Sequence, residues 1–230
     1  MNGAVVVIGG TGGLGREVAA HYADTGREVV LTGRDRGRAE SVATELGGKA
    51  RGLALELNQP HAIATALADI GPVAHLVLSA IDRGTNSVDN FDVAQAISLA
   101  TQKMVSYVEV VHALRPRMSD ESSVLVFGGQ ARVRPYPGST MVSTVNGGVI
   151  GMVRTLSVEL APIRVNSIHP GIVGDSPFWA DKPAQVLENF RAGTLTGQLA
   201  TMADVVNATT FLLENPSVNG VDLVVDGGWR

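Results

Sequence analysis

The chain has 230 residues, of which 45% are hydrophobic and 17% charged, a composition typical of a folded globular protein of one domain, here residues 1–230. The formal net charge of −4 provides no basic field, which argues against nucleic acid as a partner. There is no cysteine, which excludes disulfides and thiolate catalysis, and the five histidines are scattered without metal-ligand spacing, so we expect no metal site.

The first residues indicate where the protein acts. Met1 and Asn2 lead directly into an apolar run and a glycine loop, without the basic and apolar regions of a signal peptide, which predicts a cytoplasmic protein. The stretch from Pro135 to Val153 carries no charge and approaches the length of a membrane span. Its prolines, glycines and hydroxyl residues make it too polar and too broken, so we predict no membrane span.

Apolar runs and helical patterns alternate along the whole chain. Seven runs predict strands, which are Ala4 to Ile8, Glu28 to Thr32, Ala54 to Leu57, His75 to Leu78, Val124 to Phe127, Ile163 to Ile168 and Val221 to Val225. Helices are predicted between them, at Gly13 to Thr25, Arg36 to Leu46, His61 to Ile70, Val93 to Met118, Val142 to Leu160 and Met202 to Glu214. This alternation predicts a Rossmann-type α/β fold, a doubly wound parallel seven-stranded sheet in three α/β/α layers.

One irregular stretch interrupts the alternation. Gly174 to Ala200 is rich in glycine, proline, serine and threonine and carries Phe178, Trp179 and Phe190. Because it follows a strand, it lies at the carboxyl edge of the sheet, where ligands bind in such folds. We therefore predict that residues 174–200 form a substrate lid.

A glycine-rich loop follows the first strand and precedes an amphipathic helix. Glycines there let the backbone approach a pyrophosphate, which free N–H groups and the positive end of the helix hold. The strand, the helix and a second strand are all present, which favours nucleotide binding over a plain tight turn. The predicted contacts in this loop are Gly9, Thr11, Gly12, Gly13 and Leu14.

The spacing of Gly9, Gly13 and Gly15 reproduces a GxxxGxG pattern. Further segments match along nearly the whole chain, including Leu55 to Leu57, Arg154 to Gly171 and Asn219 to Gly228. Together they resemble the short-chain dehydrogenase/reductase family. That resemblance implies a nicotinamide cofactor, a small-molecule substrate and a homodimer or homotetramer.

The resemblance also implies cofactor contacts at the ends of later strands and, at Asn146, on the helix after the fifth strand. They are Glu56, Leu57, Ser79, Ala80, Ile81, Gly128, Asn146, Pro170, Gly171 and Val173. At the end of the second strand Gly33 occupies the position where an NAD site carries a carboxylate, and Arg34 follows it. A guanidinium can pair with a 2′-phosphate, so we predict NADP(H). The alternative is that Arg34 is a solvated surface residue.

The family's usual active-site residues are an asparagine, a serine, and a tyrosine and lysine spaced YxxxK. Counting from the matched segments places Lys103 at the asparagine position, Gly129 at the serine position, Val142 at the tyrosine position and Asn146 at the lysine position. The resemblance is therefore to an atypical branch that lacks these residues.

Relative to the family pattern, the lysine and the asparagine have exchanged positions between the two helices. Lys103 and Asn146 are therefore the candidate catalytic residues. A lysine in a partly dry pocket can donate a proton near neutral pH. The competing interpretations are a surface lysine with its head in water and a helix-packing amide.

Other polar residues are weaker candidates. His169 precedes the predicted Pro170–Gly171 turn, but a core histidine is the commoner case, and Ser143 and Thr144 lack a visible base. Charged residues on loops after strands could bind an acidic or polar substrate or be solvated, and these are Asp82, Arg83, Arg132 and Arg134.

Two functions of different classes remain open. The first is an NADP(H)-dependent oxidoreductase with a non-standard proton donor, acting on a small carbonyl, enone or imine. The second is a catalytically silent NADP(H)-binding protein that acts as a subunit partner or redox sensor. They differ at Lys103, which the enzyme needs near the nicotinamide and the sensor does not.

Overall fold

The computed structural model describes residues 3–82 and 84–230. Seven parallel strands form one sheet in the order β3-β2-β1-β4-β5-β6-β7. The strands are β1 (Ala4–Ile8), β2 (Glu28–Gly33), β3 (Lys49–Ala54), β4 (Val73–Leu78), β5 (Met118–Phe127), β6 (Arg164–Pro170) and β7 (Asp222–Val225). The predicted doubly wound fold is confirmed.

Helices cover both faces of this sheet. They are α1 (Gly13–Asp24), α2 (Arg36–Leu46), α3 (Ile63–Ala66), α4 (Val93–Ala100), α5 (Ser106–Leu114), α6 (Thr140–Glu159), α7 (Pro177–Ala180), α8 (Ala184–Ala192) and α9 (Met202–Glu214). One core lies between the sheet and α3, α5 and α6, and the other lies between the sheet and α1, α2 and α9. Within the described residues, no helix is long and apolar enough to cross a membrane.

The third strand does not lie where the apolar run predicts it. The prediction was Ala54 to Leu57, whereas β3 is Lys49–Ala54 and pairs only with β2. An edge strand covered on part of its surface needs no continuous apolar run, so Lys49–Ala54 gave no signal. Leu55 and Leu57 are buried in the core beyond the end of the strand, which explains the apolar run.

The long helix predicted from Val93 to Met118 is divided in two. A π-helical turn, Thr101–Val105, separates α4 from α5, and Arg115–Arg117 forms a 3₁₀ turn before Met118 begins β5. A π turn inserts one extra residue into the helix without a break in the apolar pattern, so periodicity did not reveal it. Lys103 lies in the middle of this turn.

The predicted helix from His61 to Ile70 is also shorter than expected. A 3₁₀ turn, Pro60–Ala62, leads into the four-residue helix α3. Beyond it Leu67 and Ile70 are buried in irregular chain. The apolar spacing there reflects burial and not helix length.

Residues 174–200 leave the sheet edge and return to it at the same place. Val173 and Ala200 form an isolated parallel bridge, and the amide N of Gly174 donates to the carbonyl of Ala200 at 2.9 Å. The segment contains α7 and α8. Four rings in sequential edge-to-face contact, with centroids 5.2–5.7 Å apart, join it to the C-terminal segment, and these are Phe178, Trp179, Phe190 and Trp229.

Candidate functional site

The glycine loop packs too closely against its surroundings for side chains. Gly9 has a φ of +87°, and a Cβ there would lie 2.6 Å from the Cα of Ala80. A Cβ on Gly15 would clash with the carbonyl oxygen of Gly9. Gly12, the residue before α1, offers no side-chain cap, and the first turn contains no acidic residue. The loop therefore presents free N–H groups and a positive helix end, which fits a pyrophosphate.

The ends of β2 and α2 adjoin this loop. Gly33 lies against Thr11, and a Cβ on Gly33 would lie 2.5 Å from the Cγ2 of Thr11. Arg34 is 68% exposed in its side chain and pairs with Asp82 at 3.3 Å. Arg38 was missed in the sequence, yet its Nη2 donates to the carbonyl of Thr11 at 3.4 Å. The sequence feature that could have identified Arg38 is its position in the first turn of the helix that follows Arg34.

A cleft of about 610 Å³ lies beside the glycine loop. Its walls come from the loop, α1 and α2, with Pro177 of α7 and Met202 of α9 on the far side. Thr11, Gly12 and Gly13 are among the lining residues, whereas Leu14 is not. Backbone amides of the loop and the guanidinium group of Arg38 are the groups there that can hold an anion, since Arg16 pairs with Glu17 and Glu45 in the same cleft.

Two turns after β3 and β4 are held in place by buried hydroxyl groups. The Oγ of Ser79 donates to the carbonyl of Ile8 at 2.9 Å, and the hydroxyl of Tyr107 donates to the carbonyl of Ala80. The Oγ of Ser106 donates to the carbonyl of Leu57 at 2.5 Å. These bonds fix the predicted contacts at the ends of β3 and β4.

Glu56 and Ile81 line the same part of the edge. Both are partly buried, and the Oε1 of Glu56 accepts the amide N–H of Asn58 at 2.8 Å. The carboxylate is therefore used in part to close its own turn.

The turns after β5 and β6 meet at His169. The amide N of Gly128 donates to the carbonyl of Ile168 at 2.8 Å, and the amide N of Gly129 donates to the Nδ1 of His169 at 3.2 Å. Pro170 ends β6, and the amide N of Gly171 donates to the carbonyl of Val225 at 2.9 Å. Gly128 and Pro170–Gly171, which we predict to contact the nicotinamide end of the cofactor, thus lie next to each other.

Lys103 and Asn146 are in direct contact across two helical segments. The Nζ of Lys103 donates to the Oδ1 of Asn146 at 2.9 Å, and both residues are 2% exposed. A Cβ on Gly129 would lie 2.9 Å from the Nδ2 of Asn146. Lys103 is therefore buried rather than a surface residue, and the positions inferred from helix register lie together.

His169 is a buried histidine within a hydrogen-bonded chain. Since its Nδ1 accepts from Gly129, its Nε2 carries the proton and donates to Ser167 at 3.0 Å, and Ser167 donates to Asp222 at 2.5 Å. Burial, with the positive charge of Arg132, lowers the pKa of His169 to about 4, although the carboxylate of Asp222 opposes this. The ring is therefore neutral at physiological pH.

The weaker candidates have local partners or lie apart. Ser143 bonds Ser139 at 2.9 Å, and the Oγ1 of Thr144 donates to the carbonyl of Thr140 at 2.8 Å, as expected for hydroxyl groups within a helix. Arg134 lies over the ring of Trp229. Arg83 lies outside the described residues. Among residues 3–82 and 84–230, no cluster of residues could hold a metal ion.

Stability is expected to fall as the pH falls from about 6.5 toward 4. His75 is buried beside Ser123, and desolvation, with the positive charges of Arg27 and Arg164, lowers its pKa to about 4. The unfolded chain binds this proton near pH 6.5, so it takes up more protons than the folded chain at lower pH. The difference costs up to about 2 kcal/mol per buried histidine at pH 5.

Urea unfolding at pH 7, 6 and 5 measures this loss. His75→Gln should flatten the pH dependence, because one of the two groups with a lowered pKa is removed. His61→Gln, at an exposed position, is the matched control and should leave the dependence unchanged. An equal slope in the His75 variant and the parent chain would contradict the assignment.

Comparison with known proteins gives a consistent result. A family model described as Enoyl-(Acyl carrier protein) reductase matches residues 9–230. The 3-oxoacyl-[acyl-carrier-protein] reductase of Mus musculus is 28% identical over 99% of this chain and 98% of its own length. The protein of the same name from Rattus norvegicus is 30% identical over 69% of this chain and 67% of its own.

Solved structures agree with this result. A short chain dehydrogenase/reductase family protein is 28% identical with a TM-score of 0.87, covering 98% of this chain and 96% of its own. A 3-ketoacyl-(acyl-carrier-protein) reductase from Brucella melitensis, complexed with NADH, is 24% identical with a TM-score of 0.86, covering 99% and 98%. Fold, glycine loop and matched length lead to one conclusion: the chain belongs to the short-chain dehydrogenase/reductase family of oxidoreductases.

Proposed function

We propose that this chain is an NADP(H)-dependent oxidoreductase that acts on a small carbonyl, enone or imine with a lysine as proton donor. The observation that carries the proposal is the buried hydrogen bond between Lys103 and Asn146 beside Gly129. In a doubly wound sheet, ligands bind at the carboxyl edge, where these residues lie. No lysine of the chain has a tyrosine four residues before it, so the family's usual YxxxK pair cannot operate.

The glycine loop and the turns after the strands would hold the cofactor. Free N–H groups of residues 12–14 would bind the pyrophosphate, and the turns at residues 56–57 and 79–81 would border the adenosine. Gly128, Pro170, Gly171 and Val173 would border the nicotinamide, and the amide of Asn146 would bind the ribose hydroxyls. Bound in this way, the nicotinamide supplies the hydride.

The chain's own residues would then handle the proton. The ammonium group of Lys103 would donate a proton to the oxygen or nitrogen that gains charge as the hydride arrives, and Asn146 would hold the amine in place. Residues 174–200 would close over the substrate and exclude water, with the aromatic contacts keeping the lid rigid.

NADPH should bind about tenfold to a hundredfold more tightly than NADH. The guanidinium of Arg34, with Arg38 one turn further on, can pair with a 2′-phosphate that NADH lacks, a charge-assisted contact. Fluorescence titration of both cofactors measures the difference. Arg34→Ala should reduce NADPH affinity and leave NADH affinity nearly unchanged.

Two controls make this titration decisive. Asp82→Asn frees Arg34 from its ion pair and should strengthen NADPH binding slightly. Arg36→Ala removes a neighbouring arginine that pairs with Glu40 and should change neither affinity. Equal dissociation constants for the two cofactors in the parent chain would refute the assignment to NADP(H).

The second candidate function is a silent NADP(H)-binding protein. The hydrogen bond between Lys103 and Asn146 favours this silent protein if its role is only to stabilise the contact between the π turn and α6. A crystal structure with NADPH separates the two functions. The enzyme requires the Nζ of Lys103 within hydrogen-bond distance of the ribose or of the space facing the nicotinamide C4, whereas a Lys103 that reaches neither favours the silent protein.

The assembly is proposed to be a homodimer or homotetramer formed through α4, α5 and α6. Ile97 of α4 and Val108 of α5 are 62% and 40% exposed, and Val105 of the π turn between them is 53% exposed. Gly147 and Gly151 of α6 leave open space above the backbone. Exposed apolar side chains and small residues suit close helix contact between two copies.

Ile97→Glu should therefore shift the chain to monomer in light scattering after gel filtration. A buried charge without a partner opposes association. Val88→Glu, at a position 83% exposed on a loop, is the matched control and should leave the assembly intact. A monomeric parent chain would contradict the proposal.

A further inference from the structure

The short 3₁₀ turn Gln130–Arg132, directly after Gly129, contains two buried polar atoms without partners. The Nε of Arg132 is one of them, and the Oε1 of Gln130 is the other. Gln130 is 7% exposed, and its Nε2 donates to Asp226 at 2.6 Å. Buried polar groups are nearly always satisfied, so an orphaned donor and an orphaned acceptor on one turn call for a ligand or ordered water.

Arg132 also lacks a carboxylate partner within the described part of the chain, residues 3–82 and 84–230. Two carboxylates of the C-terminal segment, Asp222 and Asp226, already have other partners. Asp222 accepts from Ser167 and pairs with Arg154, and Asp226 accepts from Gln130 and from the amide of Gly228. Arginine is always charged in proteins. The buried Nε–H of Arg132 is therefore a charged donor without an acceptor.

The surroundings of this turn carry charges of both signs, since Asp226 accepts a hydrogen bond from Gln130 and Asp222 lies beside His169. The charges of Arg132 and Lys103 both act on His169, the residue that holds Gly129. The two carboxylates have partners of their own, so the unpaired guanidinium of Arg132 is the group on this turn that favours an anionic ligand. A guanidinium suits a carboxylate in particular, because its N–H groups match the two oxygens.

We propose that the turn Gln130–Arg132 is a substrate subsite, and that the substrate pair is a hydroxy acid and its oxo acid. The inference rests on the proposed function. Arg132 would bind the carboxylate of the ligand, and the Oε1 of Gln130 would accept a hydrogen bond from the hydroxyl group of the reduced form. In the oxidative direction the hydroxy acid gives a hydride from its carbinol carbon to NADP⁺ and the proton of its hydroxyl group to the neutral amine of Lys103, which leaves the oxo acid, NADPH and the ammonium form of Lys103.

The test measures binding without turnover. Lactate and 3-hydroxybutyrate, each with its methyl ester, are titrated by calorimetry into the chain saturated with NADPH, where a hydroxy acid cannot be oxidised. At least one acid should bind about tenfold to a hundredfold more tightly than its ester, because only the acid offers a charge-assisted acceptor. Arg132→Met should remove this preference, and Arg132→Lys should retain part of it.

Arg134→Met is the matched control on the same loop, since that arginine stacks on Trp229, and the preference should persist in this variant. Esters that bind as tightly as both acids, or a preference that survives Arg132→Met, would overturn the subsite. So would a loss of NADPH affinity in Arg132→Met, which would place the guanidinium on the cofactor. Failure of NADPH to bind the parent chain would instead refute the proposed function, and it is measured separately by fluorescence.

Discussion

Simple ketones are expected to be reduced about 10²- to 10⁴-fold more slowly by this chain than by a family member with the YxxxK pair. Val142 occupies the position that we infer for the tyrosine, and a neutral ketone lacks the carboxylate that would hold its oxygen near Lys103, so the growing negative charge goes without an acid. General acid catalysis contributes about that factor. NADPH oxidation with cyclohexanone at neutral pH, followed by absorbance, measures the rate.

A reconstructed pair provides the control for this rate. The triple variant Val142→Tyr, Asn146→Lys, Lys103→Asn restores three of the four family residues, the tyrosine, the lysine and the asparagine, and it should reduce the ketone faster than the parent chain. Gly129 stays unchanged in it, since a Cβ there would lie 2.9 Å from the side chain at position 146. Rapid reduction by the parent chain would show that the active-site positions have been assigned wrongly.

Lys103→Met is expected to abolish turnover of the natural substrate, once that is found, and to leave NADPH affinity nearly unchanged. Methionine fills most of the space of the buried stem but has no proton to give, so a loss of about 10²- to 10⁴-fold follows if the amine is the acid. Rates at saturating substrate, together with a fluorescence titration of NADPH, separate the chemical effect from binding.

The structural effect of this change is measured apart from the chemistry. Loss of the Lys103 donor leaves the Oδ1 of Asn146 without that hydrogen bond, which costs about 1–3 kcal/mol in a buried site. Urea unfolding determines whether the variant is folded under assay conditions, and Lys49→Met, at an exposed position on β3, is the control. Full turnover in a folded Lys103→Met would favour another proton donor.

The sequence carries strong signals for elements buried on both faces of the sheet. β1 is an unbroken apolar run and β4 is interrupted only by His75, because helices cover both strands on both sides, and the structure places them there. The edge strand β3 and the π turn around Lys103 escaped prediction for different reasons. β3 needs little apolar surface, and the π turn changes the hydrogen bonding of a helix while its apolar pattern continues.

Part of the candidate site was predictable and part was not. Counting along the helices brought Lys103 and Asn146 to adjoining places, because α6 is a long regular helix that runs into the matched segment Arg154 to Gly171. The side-chain partners of Arg34, Arg38 and Arg132 depend on loop conformations, which a pattern of residue types does not encode. The position of Arg38 in the first turn of α2 was visible in the sequence, but its bond to the glycine loop and the orphaned N–H of Arg132 appear only in the folded chain.

The bridge between Val173 and Ala200 makes the intervening segment exchangeable. Because its two ends are hydrogen-bonded neighbours, a replacement of different length can begin and end at the same points without displacing β6 or α9. The entropy of closing a loop rises only slowly with its length, so the thermodynamic penalty for such a replacement is small. With residues 174–200 as the proposed substrate lid, exchange of this one segment is a route by which evolution or engineering can change the substrate range while the sequence of the glycine loop stays the same.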